Sequence, residues 1–114
     1  MSYNVIPSTP FKKEFKRLSK KYRSLKEDVK KLIHELEANP LLGTDLGNGI
    51  RKVRMAITAK GRGKSHGARV ITYTTALVNV DDEGDVILLY LYDKAERDAI
   101  SKEEIANLIA TLPE

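Results

Sequence analysis

The feature that most constrains this chain is a change of hydrophobic period near its middle. Before residue 39, apolar side chains recur at helical spacing: Phe11, Phe15, Leu18 and Tyr22, then Val29, Leu32, Ile33 and Leu36. After residue 50 the spacing drops to two, with Val53, Met55 and Ile57 alternating with Lys52, Arg54 and Ala56. A helix buries one stripe along its length, whereas a strand sends alternate side chains to opposite faces, so the switch predicts helices followed by sheet. An α+β chain is the consequence.

Local signals divide the chain further. Residues 3–6 read as a short strand, and Pro7 places it at a sheet edge or ends it. Thr9 followed by Pro10 predicts a helix N-cap, and Ser24 with Glu27 predicts a capping box for a second helix that stops before Asn39-Pro40. A Gly/Asn-rich connection, LLGTDLGNG, leads into the alternating strand. The loop TAKGRGKSHG follows, then a long strand over residues 69–80, a turn DDEGD, and the run VILLYLY, whose unbroken apolar character marks a central strand. Ser101 and Glu104 predict a capping box for a last helix with Ile105, Leu108, Ile109 and Leu112 on one side. The expected order is β, α, α, β, β, β, α. It describes a single domain, residues 1–114, with a small antiparallel-dominated sheet, an N-terminal helical hairpin on one face and a closing C-terminal helix. The expectation is that the helices leave one sheet face free for function.

Composition removes several function classes. With no cysteine there is neither a disulfide nor a thiolate metal site, and two dispersed histidines, His34 and His66, offer no ligand spacing, so no metal and no other cofactor is expected. His34 lies beside the apolar stripe of the second helix and reads as structural. The longest apolar run, residues 86–92, is far too short to span a bilayer, and no signal-peptide pattern opens the chain. A cytoplasmic protein with no membrane partner is expected.

Charge points to the partner. Residues 46–80 hold Arg51, Lys52, Arg54, Lys60, Arg62, Lys64 and Arg69 with no Asp or Glu, a charge of +7 in a chain whose net charge is +4. The other 79 residues sum to −3, so the excess reads as local. Lys52 and Arg54 are two apart on a strand and project from one face, while Arg69 and Tyr73 share a face of the next strand. Like charges side by side on a sheet destabilise it by some tenths of a kcal/mol per pair, so an uncompensated cluster implies a missing anion. Lys60, Arg62, Lys64 and His66, spaced by glycines, let a loop approach phosphates closely. The nucleoside-triphosphate loop pattern is absent.

The string IRKVRMAITAKGRGKSHGARVITYTT, followed by VILLYLYDKAERDAIS and a closing helix, resembles the RelE/HigB-type toxins of bacterial toxin–antitoxin pairs, within the wider RelE/ParE superfamily. Nearly the whole chain takes part. The resemblance implies a metal-independent endoribonuclease that cleaves mRNA on the ribosome, inhibits translation, and is silenced by a cognate antitoxin protein. It implies catalytic roles for Lys52, Arg54 and Arg69 around the scissile phosphate, and for Tyr92 and Lys94, which match a Y-x-K element. Arg51, Lys60, Arg62, Lys64, His66 and Tyr73 are then expected to bind RNA, mRNA or rRNA. The chain departs from the family pattern at Ala95, where the RelE branch tends to have another arginine. It departs again near Ser101, where that branch has a late tyrosine, and at His66 and Thr72.

Metal-free cleavage needs a base for the 2′-OH, cations for the charge growing on phosphorus, and an acid for the leaving 5′-oxygen. Lys52, hemmed in by Arg54 and Arg69, is the candidate base, and the two arginines the candidate stabilisers. Two other readings share these residues: a ParE-type topoisomerase-inhibiting toxin, which has the fold but no nuclease, and a non-catalytic RNA-binding module.

Overall fold

The structure, a computed structural model, describes residues 3–74 and 84–113. Its elements are β1 (Asn4–Pro7), α1 (Thr9–Lys21), α2 (Leu25–Ala38), β2 (Thr44–Gly47), β3 (Ile50–Met55), β4 (Ala68–Thr74), β5 (Asp85–Asp93) and α3 (Lys102–Ala110). The five strands form one sheet in the order β1-β5-β4-β3-β2, with β1 parallel to β5 and every other pair antiparallel. β1 lies at an edge, as Pro7 requires, and the VILLYLY strand is interior. The far end of the long strand and the first three residues of the turn DDEGD, together residues 75–83, lie outside the described residues. β2 lies within the Gly/Asn-rich stretch LLGTDLGNG, expected to be a connection. Its TDLG sequence has no apolar alternation and all four residues are exposed, so only its pairing to β3 makes it a strand.

The caps show how local chemistry was redistributed. Ser8, not Thr9, caps α1: its Oγ accepts from the Phe11 amide and donates to the Leu89 carbonyl, so one hydroxyl both starts the helix and ties it to β5. Ser24 does not form the expected capping box. Its Oγ instead donates to Asp28 at 2.8 Å and accepts from the Ala59 amide at 2.8 Å. The Ser101–Glu104 capping box of α3 is present in both directions.

Two apolar layers cover the two faces of the sheet. Under the helical hairpin, Phe11, Leu18, Leu25, Leu32 and Leu36 pack on Val53, Met55, Val70, Val86, Leu88 and Leu91. On the opposite face Ile105 of α3, with Leu108 and Ile109, packs on Ile71, Leu89, Tyr90 and Tyr92. The expectation of a free sheet face is therefore corrected. The stripe of α3 needs an apolar partner, and the residues of β5 on that side supply it, while Arg54 on the same face stays exposed.

A register shift sets which β5 side chains reach that end. Ile71 pairs with Tyr90 and Thr72 with Leu88, leaving Leu89 as the extra residue of a β-bulge. Val86 and Leu88 face the hairpin, but beyond the bulge the parity changes, so Leu91 faces the hairpin while Tyr90 and Tyr92 turn toward α3. Asp93, one residue on, returns to the hairpin side.

Candidate RNA-cleavage site

The alternation of β3 sends Val53 and Met55 into the core and leaves Lys52 and Arg54 on the other face. The β3–β4–β5 ladders then build two neighbouring rows. Arg54 lies opposite Arg69, and Arg69 lies opposite Tyr92; one step along, Lys52 lies opposite Ile71, which lies opposite Tyr90. The residues expected on different strands thus share one face, the bulge in β5 being what brings Tyr92 to it. Among the described residues no carboxylate bonds to Lys52, Arg54 or Arg69.

Arg69 is only 6% exposed. Its guanidinium donates to the backbone carbonyls of Lys64 at 3.1 Å, Ala68 at 3.2 Å and Ser65 at 3.4 Å. Three neutral acceptors hold the charge without cancelling it, and two of its N–H groups remain uncommitted. Tyr92 is buried beside it with a hydroxyl that has no hydrogen-bond partner. Burial pushes the Tyr92 phenol up, against the opposing pull of Arg69, Lys94 and Arg97, so it is a neutral donor at pH 7. Lys94 pairs with Asp98 at 2.6 Å, and that ammonium, with Lys52 nearby, holds the Asp98 carboxyl below its usual range.

Other expected contact residues are placed less uniformly. Arg51 alternates to the opposite face from Lys52 and reaches toward Asp45 at 3.9 Å. Tyr73 shares the Arg69 face but lies four residues further along β4, packed in the α3 layer. Arg62, Lys64 and His66 are exposed on the loop, His66 with Nδ1 3.0 Å from the Ser65 hydroxyl. Lys60 departs most from a phosphate-facing role. Its ammonium turns inward to Asp93 Oδ1 at 2.6 Å and to the His66 carbonyl at 2.9 Å. His34, expected beside the apolar stripe, is exposed and lies 3.3 Å from Glu37.

The loop itself, residues 58–67, is pinned by two carboxylates that the sequence reading passed over. Asp28 of α2 accepts from the Thr58 amide at 3.0 Å and the Thr58 hydroxyl at 2.5 Å. Asp93 is fully buried and accepts from Lys60, from the Tyr22 hydroxyl at 2.5 Å and from the Ala95 amide at 2.9 Å. Burial alone would raise the Asp93 carboxyl, but the hydrogen bonds from Lys60, Tyr22 and Ala95 outweigh it and hold it below its ordinary value. Gly67 closes the loop where a Cβ would stand 2.1 Å from the Met55 carbonyl oxygen, so only glycine fits.

One further cationic surface was hidden by averaging. Residues 9–31 carry ten Lys and Arg against three acids, and Lys12, Lys13, Lys16, Lys20, Lys26, Lys30 and Lys31 are exposed along the helical hairpin. The charge excess is therefore not confined to residues 46–80. A window over the helices alone would have found it.

Residues 11–111 match the family model described as the RelE toxin of the RelE/RelB toxin–antitoxin system. The chain belongs to the RelE toxin family. It is accordingly the toxin component of a toxin–antitoxin pair. The fold is similar to that of E. coli toxin RelE, solved in the free state as a double arginine-to-alanine mutant, with a TM-score of 0.59 and 16% sequence identity over 99% of this chain and 100% of that one. No curated protein matches the sequence. In this RelE-family chain, no three His, Asp or Glu side chains among the described residues converge to hold a metal. No helix among the described residues is long and apolar enough to cross a membrane.

Proposed function

We propose that this RelE-family toxin is a metal-independent endoribonuclease that cleaves mRNA on the ribosome, in the cytoplasm. The observation that carries the reading is the pairing of Arg54 with Arg69 across the β3–β4 ladder, with Lys52 on the same face and, among the described residues, no carboxylate bonded to any of them. A sheet that keeps two arginines opposed loses some stability unless an anion sits between them. A ribose-phosphate is such an anion.

In this reading Lys52 accepts the proton of the 2′-OH as the 2′-oxygen attacks the adjacent phosphorus. Arg54 and the uncommitted N–H groups of Arg69 bind the phosphoryl oxygens as their charge grows. The P–O5′ bond breaks and the leaving oxygen takes a proton, giving a 2′,3′-cyclic phosphate and a 5′-hydroxyl. Tyr92, a neutral donor backing Arg69, and Lys94 flank the reacting group. Arg62, Lys64 and His66 on the loop, and the lysines of the helical hairpin, engage mRNA and rRNA phosphates through charge. A cognate antitoxin silences the toxin by binding it.

The test is cleavage of a translated mRNA by purified toxin in the presence of EDTA, with end analysis of the fragments. New 5′-hydroxyl ends from the wild type, absent with Arg69→Ala, support the reading. Intact RNA alongside trapped DNA–topoisomerase complexes would transfer the support to a ParE-type activity, and RNA binding without new ends would leave a binding module.

A further inference from the structure

The basic loop carries three glycines in ten residues, Gly61, Gly63 and Gly67, a composition that by itself leaves a backbone free to wander. Yet two of the three carbonyls that hold the Arg69 guanidinium, those of Lys64 and Ser65, belong to this loop. Something must fix them. The Lys60 ammonium bridges the two halves of the loop: it leaves the first short 3-10 turn, Thr58–Lys60, and donates to the carbonyl of His66 in the second, Lys64–His66. The same ammonium is anchored on the fully buried Asp93 carboxylate at the end of β5, which Tyr22, the C-cap of α1, and the Ala95 amide hold in turn. Asp93 follows Tyr92, so one strand end supplies both the phenol beside Arg69 and the anchor of the loop that aims it.

We propose that Lys60 and Asp93 are positioning residues, a part-buried ion pair that locks the glycine-rich loop so that its carbonyls orient Arg69 toward the scissile phosphate. The proposal deepens the nuclease reading and rests on it. It assigns Lys60 a role inside the protein in place of a phosphate contact. The ring of Tyr22, with Lys60 Nζ 5.4 Å from its centroid, closes the other side of the pair and keeps the ammonium where it bridges the loop. The pair acts through Arg69 and touches no reacting atom.

The test uses full-length toxin carrying Lys60→Met together with Asp93→Asn, which removes both charges at once so that neither is left buried alone. Single-turnover cleavage should fall about 10²-fold, the scale of a misplacement near 1 Å, while affinity for a 2′-deoxy uncleavable RNA changes less than about twofold. The Arg69 Nε–Hε signal in a side-chain NMR spectrum should move. Lys60→Arg, which keeps a cation on Asp93, should recover most of the rate, and it also reads the role if the double variant does not fold. A folded double variant with wild-type turnover and an unmoved Arg69 signal overturns the proposal, as does a Lys60→Arg variant no faster than the double. Failure of the wild type to cut RNA would sink the nuclease reading instead. The Arg69 signal still reports the clamp in that case.

Discussion

Arg54 and Arg69 stand directly opposite each other in the β3–β4 ladder, one exposed and one almost buried. The asymmetry assigns them different work. In the nuclease reading Arg54 would meet the RNA from solvent, whereas Arg69 is held by three backbone carbonyls. Their variants should therefore separate activity from stability. Arg54→Ala should lower cleavage by about 10² to 10³, the effect of losing one preorganised donor, while leaving the melting temperature unchanged or slightly raised, because a like-charge pair is removed. Cleavage assays and calorimetry on one preparation check both halves. A large loss of stability in Arg54→Ala would contradict the exposed placement.

The Lys60–Asp93 pair makes a prediction about folding that is independent of RNA. Removing only the lysine leaves the buried carboxylate with the Tyr22 hydroxyl, the Ala95 amide and the Lys21 ammonium 3.9 Å away, a loss of at most about 3–5 kcal/mol, whereas replacing both partners with uncharged side chains costs much less. Urea denaturation of Lys60→Met, Asp93→Asn and the double variant should thus show strong non-additivity. Additive losses would mean that the two charges do not depend on each other.

Much of this arrangement was legible from residue order, and the exceptions share a cause. The cationic face of β3 was readable because Val53 and Met55 alternate with Lys52 and Arg54, and alternation on a strand leaves no choice of side. Tyr92 was reachable only through the family resemblance, since its face depends on the Leu89 bulge, and a bulge inside VILLYLY has no composition signal when both faces of the strand are buried. Asp93 inherits the same difficulty. Read alone it is a polar residue at a strand end, and only the parity change turns it toward Tyr22 and Lys60. β2 escaped because its residues are exposed and its identity lies wholly in pairing. The position of α3 followed from its own stripe, but which face it covers depended on where apolar side chains beyond the bulge pointed.

Acid sensitivity follows from the same carboxylate. The folded-state value of Asp93 lies below its ordinary 3.8, so the unfolded chain takes up the proton first as pH falls. The stabilisation is complete well above that ordinary value and is lost as pH drops below about 4 toward the folded value. Glu96, held down chiefly by Arg17, and Glu104, held down chiefly by Arg97, lose their contributions over the same direction of pH. Melting temperature should stay level from pH 7 to about 5 and then decline, with a shallower decline in Asp93→Asn. An identical acid limb in the variant would exclude Asp93 as a contributor.

Tyr92 carries a buried hydroxyl with no hydrogen-bond partner among the described residues. Unpaired buried donors are uncommon and call for an explanation. In the nuclease reading a phosphate or ribose oxygen beside Arg69 would supply the missing acceptor, and the donor would be paired only in the complex. Tyr92→Phe should then leave stability equal or slightly higher, because no hydrogen bond is lost from the free state, and should lower the cleavage rate by at least about 10-fold. Unchanged cleavage in Tyr92→Phe would confine the residue to packing against Arg97, whose guanidinium lies 5.8 Å from its ring.

The loop cations provide the last contrast, because the structure sorts three lysines and arginines of similar sequence context into two kinds. Arg62 and Lys64 are exposed and face solvent, while Lys60 is committed to Asp93 and the His66 carbonyl. Each phosphate neutralised by an exposed cation releases counterions, so binding weakens with salt with a slope of about 0.7 per contact for a single strand. Measuring affinity for an uncleavable RNA between 50 mM and 200 mM salt, about the range over which such contacts are felt, should show a reduced slope for Arg62→Ala and Lys64→Ala. Lys60→Met should retain the wild-type slope even as its turnover falls. A reduced slope for Lys60→Met equal to that of its neighbours would mean that its ammonium leaves Asp93 for the RNA when the complex forms. The loop would then act as a set of equivalent cations, without an internal anchor.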